Sequence, residues 1–185
     1  MGGLIGFFTY KTGTEIIVPP KRDFFSLSAV DLHGNTIDFA RYKGVVKGFL
    51  IINIACNCGY SSGQHDEMVK LYNKYKDRGF IILSFHCNQF NLKDPTDSKV
   101  ILEIVGKKHG VTFPMFATVN VNLPNVHPVY RFLRINSELA KDGITKVIPW
   151  NFTKFLVNRD GKVVGFYPPS VYPFELEGEI IKLIS

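Results

Sequence analysis

The segment GFLIINIA (48–55) most constrains what this chain can fold into, because it is apolar except for Asn53 and does not alternate. A run of this length is too short to cross a bilayer, and its uniform apolarity predicts a strand buried on both faces of a sheet. A second such run, FIILSF (80–85), follows it. Between them Met68, Leu71, Tyr72 and Tyr75 recur at i, i+3, i+4 and i+7 with charges in between, and Gly79 comes next. That spacing predicts an amphipathic helix with a glycine stop. Strand, helix and strand in this order begin the alternation of an α/β layer fold.

The alternation continues downstream. Val100, Ile101, Ile104 and Val105 mark a second helix, capped near Thr96 or Asp97. MFATVNV (115–121) reads as a third strand. Val126, Val129, Tyr130 and Leu133 mark a third helix, with His127 at its entry and Pro128 in its first turn. Upstream, 24–30 and 36–40 flank a turn at His33-Gly34-Asn35 and predict a hairpin. At the other end, 152–158 and 162–167 form a hairpin through Arg159-Asp160-Gly161, and a helix begun by Pro173 closes the chain. This order predicts an α/β fold with a mixed central sheet flanked by helices and an N-terminal β-hairpin. A thioredoxin-like fold is the compact candidate; pattern alone also admits a flavodoxin-like sheet. Residues 1–22, with Pro19-Pro20 near their end, read as an N-terminal extension, and 23–185 as one domain.

Composition excludes several classes. At 45% hydrophobic and 21% charged, the chain is not disordered. Three cysteines are too few and too odd in number for a disulfide scaffold, which favours a reducing compartment or a reactive thiol. The net charge of +6 comes from scattered lysines and arginines, with no basic run interleaved with aromatics to make a nucleic-acid groove. Weak contact with an anionic membrane surface is compatible with that charge. No apolar run reaches the ~18 residues of a membrane span, and the N-terminal GLIGFF makes a poor signal peptide. The expected location is cytoplasmic.

Cys58 is the candidate for chemistry. It stands where a buried strand ends and a helix is about to begin, with Gly59 after it to allow a sharp turn. Unpaired helix N–H groups and the positive end of the helix dipole favour the anionic form of a thiol placed there. The competing reading is an inert buried thiol.

The surrounding segments carry a resemblance. NIACNCGY (53–60) resembles the glutathione peroxidase pattern N-V-A-S-x-C-G, whose last residue attacks the peroxide. FHCNQF (85–90) resembles that family's F-P-C-N-Q-F, VHPVYRFL (126–133) its H-P-L-Y-K-F-L, and WNFTKFLVNRDGKVV (150–164) its W-N-F-T-K-F-L-V hairpin. The likeness runs in family order from about Asp23 to the end. It implies a thiol-dependent peroxidase in which Cys58 reduces hydrogen peroxide and organic or lipid hydroperoxides through a sulfenic acid, with glutathione or thioredoxin as reductant. It further implies that Trp150 and Asn151 belong to a tetrad of Cys, Gln, Trp and Asn around the reacting sulfur. An indole N–H and a carboxamide suit that task as neutral donors for thiolate and leaving oxygen. No metal or organic cofactor is expected.

The chain departs from the pattern in several places. After FHCNQF comes NLKDP where the family writes G-x-Q-E-P, which puts Lys93 at the glutamine and Asp94 at the glutamate; Gln89 is not the tetrad residue. Lys93 either supports the thiolate or swings to solvent and leaves the site a donor short. Cys56 replaces the serine of A-S-x-C and reads as a packed small residue rather than a resolving thiol, since a Cys-x-Cys disulfide is strained. Cys87 reads as structural. The stretch KVILEIVGKKHG (99–110) lacks the cysteine that thioredoxin-recycled members carry, so an external thiol is expected to resolve oxidised Cys58. Zinc held by Cys56, Cys58, Cys87, His86 and His65 is not expected, because structural sites usually show paired Cys-x₂₋₄-Cys elements. The stretch 107–114 leaves no room for the extra loop of tetrameric members, which implies a monomer with an open face able to admit bulky lipid peroxides. Two other classes remain open: a redox sensor passing oxidation from Cys58 to a partner protein, and a binding module with a weakened site.

Overall fold

A computed structural model describes residues 11–17, 23–59, 61–90 and 94–185. Both buried runs become strands, β4 (Gly48–Ile54) and β5 (Phe80–His86), paired in parallel from Gly48↔Phe80 to Ile54↔His86. Every residue of β4 is buried, as its apolarity requires. The crossover between them is α1 (Ser61–Tyr75), closed by a short 3₁₀ turn at Lys76–Arg78 and by Gly79. Gly79 has φ 92°, the left-handed conformation that a side chain disfavours.

The central sheet runs, in order, β10 (Val163–Tyr167), β9 (Lys154–Asn158), β4, β5 and β6 (Met115–Phe116). The C-terminal hairpin, β9 (Lys154–Asn158) and β10 (Val163–Tyr167), supplies the antiparallel half and sets β9 directly against β4. The mixed sheet is therefore present, and two apolar clusters cover its faces. One gathers Phe24, Phe39, Phe49, Phe85 and Tyr130, the other Leu50, Ile52, Met68, Leu71 and Ile180. The second is closed from outside by α4 (Glu177–Ile184) after a Pro173–Leu176 turn.

The structure corrects some expected elements. The N-terminal hairpin is shorter, β2 (Ser28–Val30) with β3 (Thr36–Asp38), because Phe24–Ser26 and Phe39–Tyr42 fold as 3₁₀ turns that bury Phe24 and Phe39. The strand expected over 115–121 pairs only as β6 (Met115–Phe116). Beyond it Ala117 N–H donates to Val30 O, and the Val121 and Asn122 N–H groups donate to Gln89 Oε1, so a side-chain amide replaces the ladder. The second helix is a single α-turn, α2 (Ser98–Ile101), capped by Asp97 and continued as a π-helix over Leu102–Lys107. The third, α3 (Pro128–Ile135), begins as expected, with the His127 ring accepting from Val129 N–H.

Within the stretch assigned to the extension, Thr14–Ile16 forms β1, which pairs with β8 (Ile144–Lys146); β8 also pairs with β7 (Ala140–Lys141). The fully buried Arg134 of α3 ties this small sheet down. Its guanidinium donates to Glu15 Oε2 at 2.7 Å, Thr145 Oγ1 at 3.0 Å and the carbonyls of Val121 and Lys146. A buried charge needs this degree of pairing.

Candidate active site

Cys58 follows β4 by four residues and precedes α1, at the C-terminal edge of the parallel strands where α/β sheets take ligands. It is half-buried, against the cluster that contains Cys56 and Phe152. The other two thiols sit differently. Burial, with the Asp94 carboxylate adding to it, pushes Cys56 up to about 12, and burial pushes Cys87 up to about 11. Both are therefore protonated and poorly nucleophilic near neutrality. None of the three is in a disulfide.

The polar residue inside the apolar run explains how a distant segment reaches this edge. Asn53 Nδ2 donates to Trp150 O at 3.2 Å, its carbonyl accepts from Phe152 N–H at 2.6 Å, and its N–H donates to Thr153 O at 3.4 Å. The turn bearing Trp150 and Asn151 is thereby stitched to the strand that leads five residues later into Cys58. The Trp150 ring leans on Phe90 with centroids 5.4 Å apart. Asn151 is fully buried, and neither its oxygen nor its nitrogen has a hydrogen-bond partner among the described residues. Leaving a buried amide unsatisfied costs about 1–3 kcal/mol per group, which marks a position kept for something other than stability.

Strain points the same way. Phe152 has φ 63°, a conformation unfavourable for a bulky side chain and concentrated at functional turns. Its carbonyl accepts from Lys154 Nζ at 2.7 Å, and Lys154 is fully buried. Burial pushes the Lys154 amine down to about 7, with Glu175 and Glu67 opposing. Between there and the ordinary 10.5 the unfolded chain binds more protons than the folded one, so this group makes stability rise with pH over that window. Lys154→Met is expected to flatten the rise, read as urea midpoints at pH 7 and 9.5; an unchanged slope refutes it.

A second brace holds the loop from the other side. Asp94, 4% exposed, accepts from Cys56 N–H and Asn57 N–H at 2.7 Å each, and its Oδ2 lies 3.0 Å from His86 Nε2. Burial opposes its charge, but the hydrogen bonds from His86 and the two backbone amides outweigh it and hold the carboxyl below the usual range. The sequence pattern marked Asp94 only as a substitute for glutamate and gave no role to His86. Lys93 lies outside the described residues.

The family model described as glutathione peroxidase matches residues 24–134. The chain belongs to the glutathione peroxidase family. A relative from Mesembryanthemum crystallinum, named probable phospholipid hydroperoxide glutathione peroxidase, is 45% identical over 84% of this chain and 88% of its own. The glutathione peroxidase-like peroxiredoxin gpx1 of Schizosaccharomyces pombe is also 45% identical, over 85% of this chain and 96% of its own. The crystal structure of Trgpx in apo form superposes with a TM-score of 0.70 at 31% identity, covering 89% of this chain and 97% of that one. Membership in the glutathione peroxidase family makes this chain an oxidoreductase, a thiol-dependent peroxidase that reduces hydroperoxides, on a thioredoxin-like fold.

Proposed function

We propose that Cys58 is the residue that attacks the peroxide, with Trp150 and Asn151 as the donors that serve it. The observation that carries this reading is the Asn151 carboxamide, which has no hydrogen-bond partner among the described residues and is buried in a strained turn stitched to the strand that leads into the half-exposed Cys58. In the first step the Cys58 thiolate attacks one peroxide oxygen and the O–O bond breaks. The sulfur takes up OH as a sulfenic acid, and the other oxygen leaves as alkoxide or hydroxide and is protonated. An indole N–H and a carboxamide stabilise that developing charge without a proton inventory of their own. A first thiol then displaces water from the sulfenic acid to give a mixed disulfide, and a second releases Cys58 as thiolate. The sum is one hydroperoxide and two thiols to one alcohol or water, one water and one disulfide.

The reductant is an external thiol, glutathione or a thioredoxin-type protein, since burial keeps Cys56 and Cys87 protonated and 99–110 holds no cysteine. This cycle uses no metal or organic cofactor. The name of the Mesembryanthemum crystallinum relative supports lipid hydroperoxides as substrates, and the net charge of +6 supports weak contact with anionic membrane surfaces. No helix among the described residues is long and apolar enough to cross a membrane. The low and odd number of cysteines supports a reducing compartment such as the cytoplasm, and the absent loop a monomer. Steady-state turnover of hydrogen peroxide and of a phospholipid hydroperoxide, each with glutathione and with a thioredoxin system, tests the assignment; no consumption in any of the four combinations refutes it.

Lys93 stands at the position of the family's glutamine. If it leaves the site one donor short, Lys93→Gln raises the rate of Cys58 oxidation by up to about tenfold, a fraction of what one preorganised donor supplies. Stopped-flow oxidation at an unchanged rate rules that out.

A further inference from the structure

We propose that Cys56, His86 and Asp94 form a buried three-ligand site for a borderline divalent cation of the zinc class, beside the loop that carries Cys58. The Cys56 thiol, a ring nitrogen of His86 and a carboxylate oxygen of Asp94 all lie within 4.8 Å of one another, and all three residues are buried. Tetrahedral zinc with bonds of about 2.0–2.3 Å sets neighbouring ligand atoms about 3.3–3.6 Å apart, within reach of small side-chain movements from this arrangement. Thiolate, imidazole and carboxylate are the donors that zinc takes, and a fourth position is left for water.

The groups behind the three ligands fit as well. A ligating histidine is normally oriented by a hydrogen bond from its other nitrogen, and His86 Nδ1 lies 2.9 Å from Thr118 Oγ1. A ligating carboxylate is normally held too, and Asp94 is fixed by the backbone N–H groups of Cys56 and Asn57. The frame is rigid: Ile54, two residues before Cys56, pairs with His86 across adjacent parallel strands. Sequence spacing gave no sign of this, because parallel pairing and not a Cys-x₂₋₄-Cys element brings the donors together.

Where the family pattern writes serine, proline and glutamate, this chain carries Cys56, His86 and Asp94. Those three departures meet in one place, and two of them introduce a soft or borderline metal donor where the pattern has none. Loading a dication expels the Cys56 proton, and any proton on His86 Nε2, to solvent; no electron moves.

The test uses the full chain, reduced and washed with chelator, then titrated with zinc against a chromophoric chelator. One zinc per chain is expected. Cys56→Ser, which restores the family residue and whose fold is checked by circular dichroism, should weaken binding by at least about tenfold, the lower end of what even supporting residues contribute. Cys58→Ser should bind zinc as the wild type does. With cobalt, a thiolate-to-metal charge-transfer band should appear in the wild type and in Cys58→Ser and be absent from Cys56→Ser. Equal zinc affinity in wild type and Cys56→Ser overturns the proposal and leaves His86 and Asp94 as a plain hydrogen-bonded brace. A cobalt band lost with Cys58→Ser but kept in Cys56→Ser overturns it too, placing the metal on the nucleophile.

Discussion

Cys58→Ser is expected to lower kcat/KM for hydroperoxide by at least about 10³-fold, because a hydroxyl is scarcely ionised at neutral pH and is a poor nucleophile toward an O–O bond. Cys87→Ala is expected to stay within about threefold of the wild type. Its thiol is fully buried and protonated, and a cysteine-to-alanine change in a core removes little beyond packing. The contrast tests the assignment of roles rather than the presence of thiols in general. Two measurements read it: consumption of peroxide at steady state, and mass spectrometric trapping of the sulfenic acid with a dimedone-type reagent. The adduct should sit on Cys58 and vanish with the serine variant. Adduct on Cys87, or turnover surviving in Cys58→Ser, would give the nucleophile's role to another residue.

The layered α/β architecture was legible in the sequence because its central strands are uniformly apolar and its helices carry clean three-and-four spacing. Asn53 was the exception inside the run. It reads as a blemish in a buried strand, yet it is the residue whose side chain and backbone hold the turn at Trp150. Period and hydropathy also failed over 115–121. Those residues have strand-like composition, but their N–H groups are taken by Val30, His86 and Gln89 rather than by a continuous neighbour. The change from α2 to π-helix was invisible for a related reason, since buried Ile101 and Val105 lie four apart and fit either winding. Residues 14–16 look like part of an extension until Arg134 supplies a reason for them to dock.

The site divides along the same line. Cys58 stands between a buried strand and a helix, a place that an inert buried thiol fills as well, and the family-like segments around it made it the candidate nucleophile. Trp150 and Asn151 are unremarkable on their own, a core aromatic and a turn former, and only the family resemblance singled them out; the strain at Phe152 and the unpartnered amide are structural signals that sequence does not carry. The grouping of His86 with Asp94 and Cys56 depends on strand adjacency, so no local pattern announces it.

That grouping leads to the second large expected effect, on Asp94→Asn in metal-free protein. The carboxylate accepts two backbone N–H bonds at 2.7 Å and faces His86 at 3.0 Å, so three donors converge on one buried anion. An amide offers one acceptor oxygen, and its NH₂ group would meet a backbone N–H, donor against donor. Hydrogen bonds to a charged group contribute about 1.5–3 kcal/mol each, so a loss of about 2–4 kcal/mol is expected in urea unfolding at pH 7. The pH sign follows from the depressed carboxyl. Its contribution is fully present above the ordinary value of 3.8 and is lost as pH falls through the lower folded value, so the gap between variant and wild type should close in acid. Because the braced amides are those of Cys56 and Asn57, the loop delivering Cys58 loosens as well, and its oxidation by peroxide should slow by about tenfold, a modest share of what alignment contributes. Asp94→Glu restores a carboxylate and should recover most of both losses. Recovery of stability without recovery of the oxidation rate would show that the brace supports the fold alone. An Asp94→Asn variant as stable as the wild type at pH 7 would show that the loop is held by other contacts.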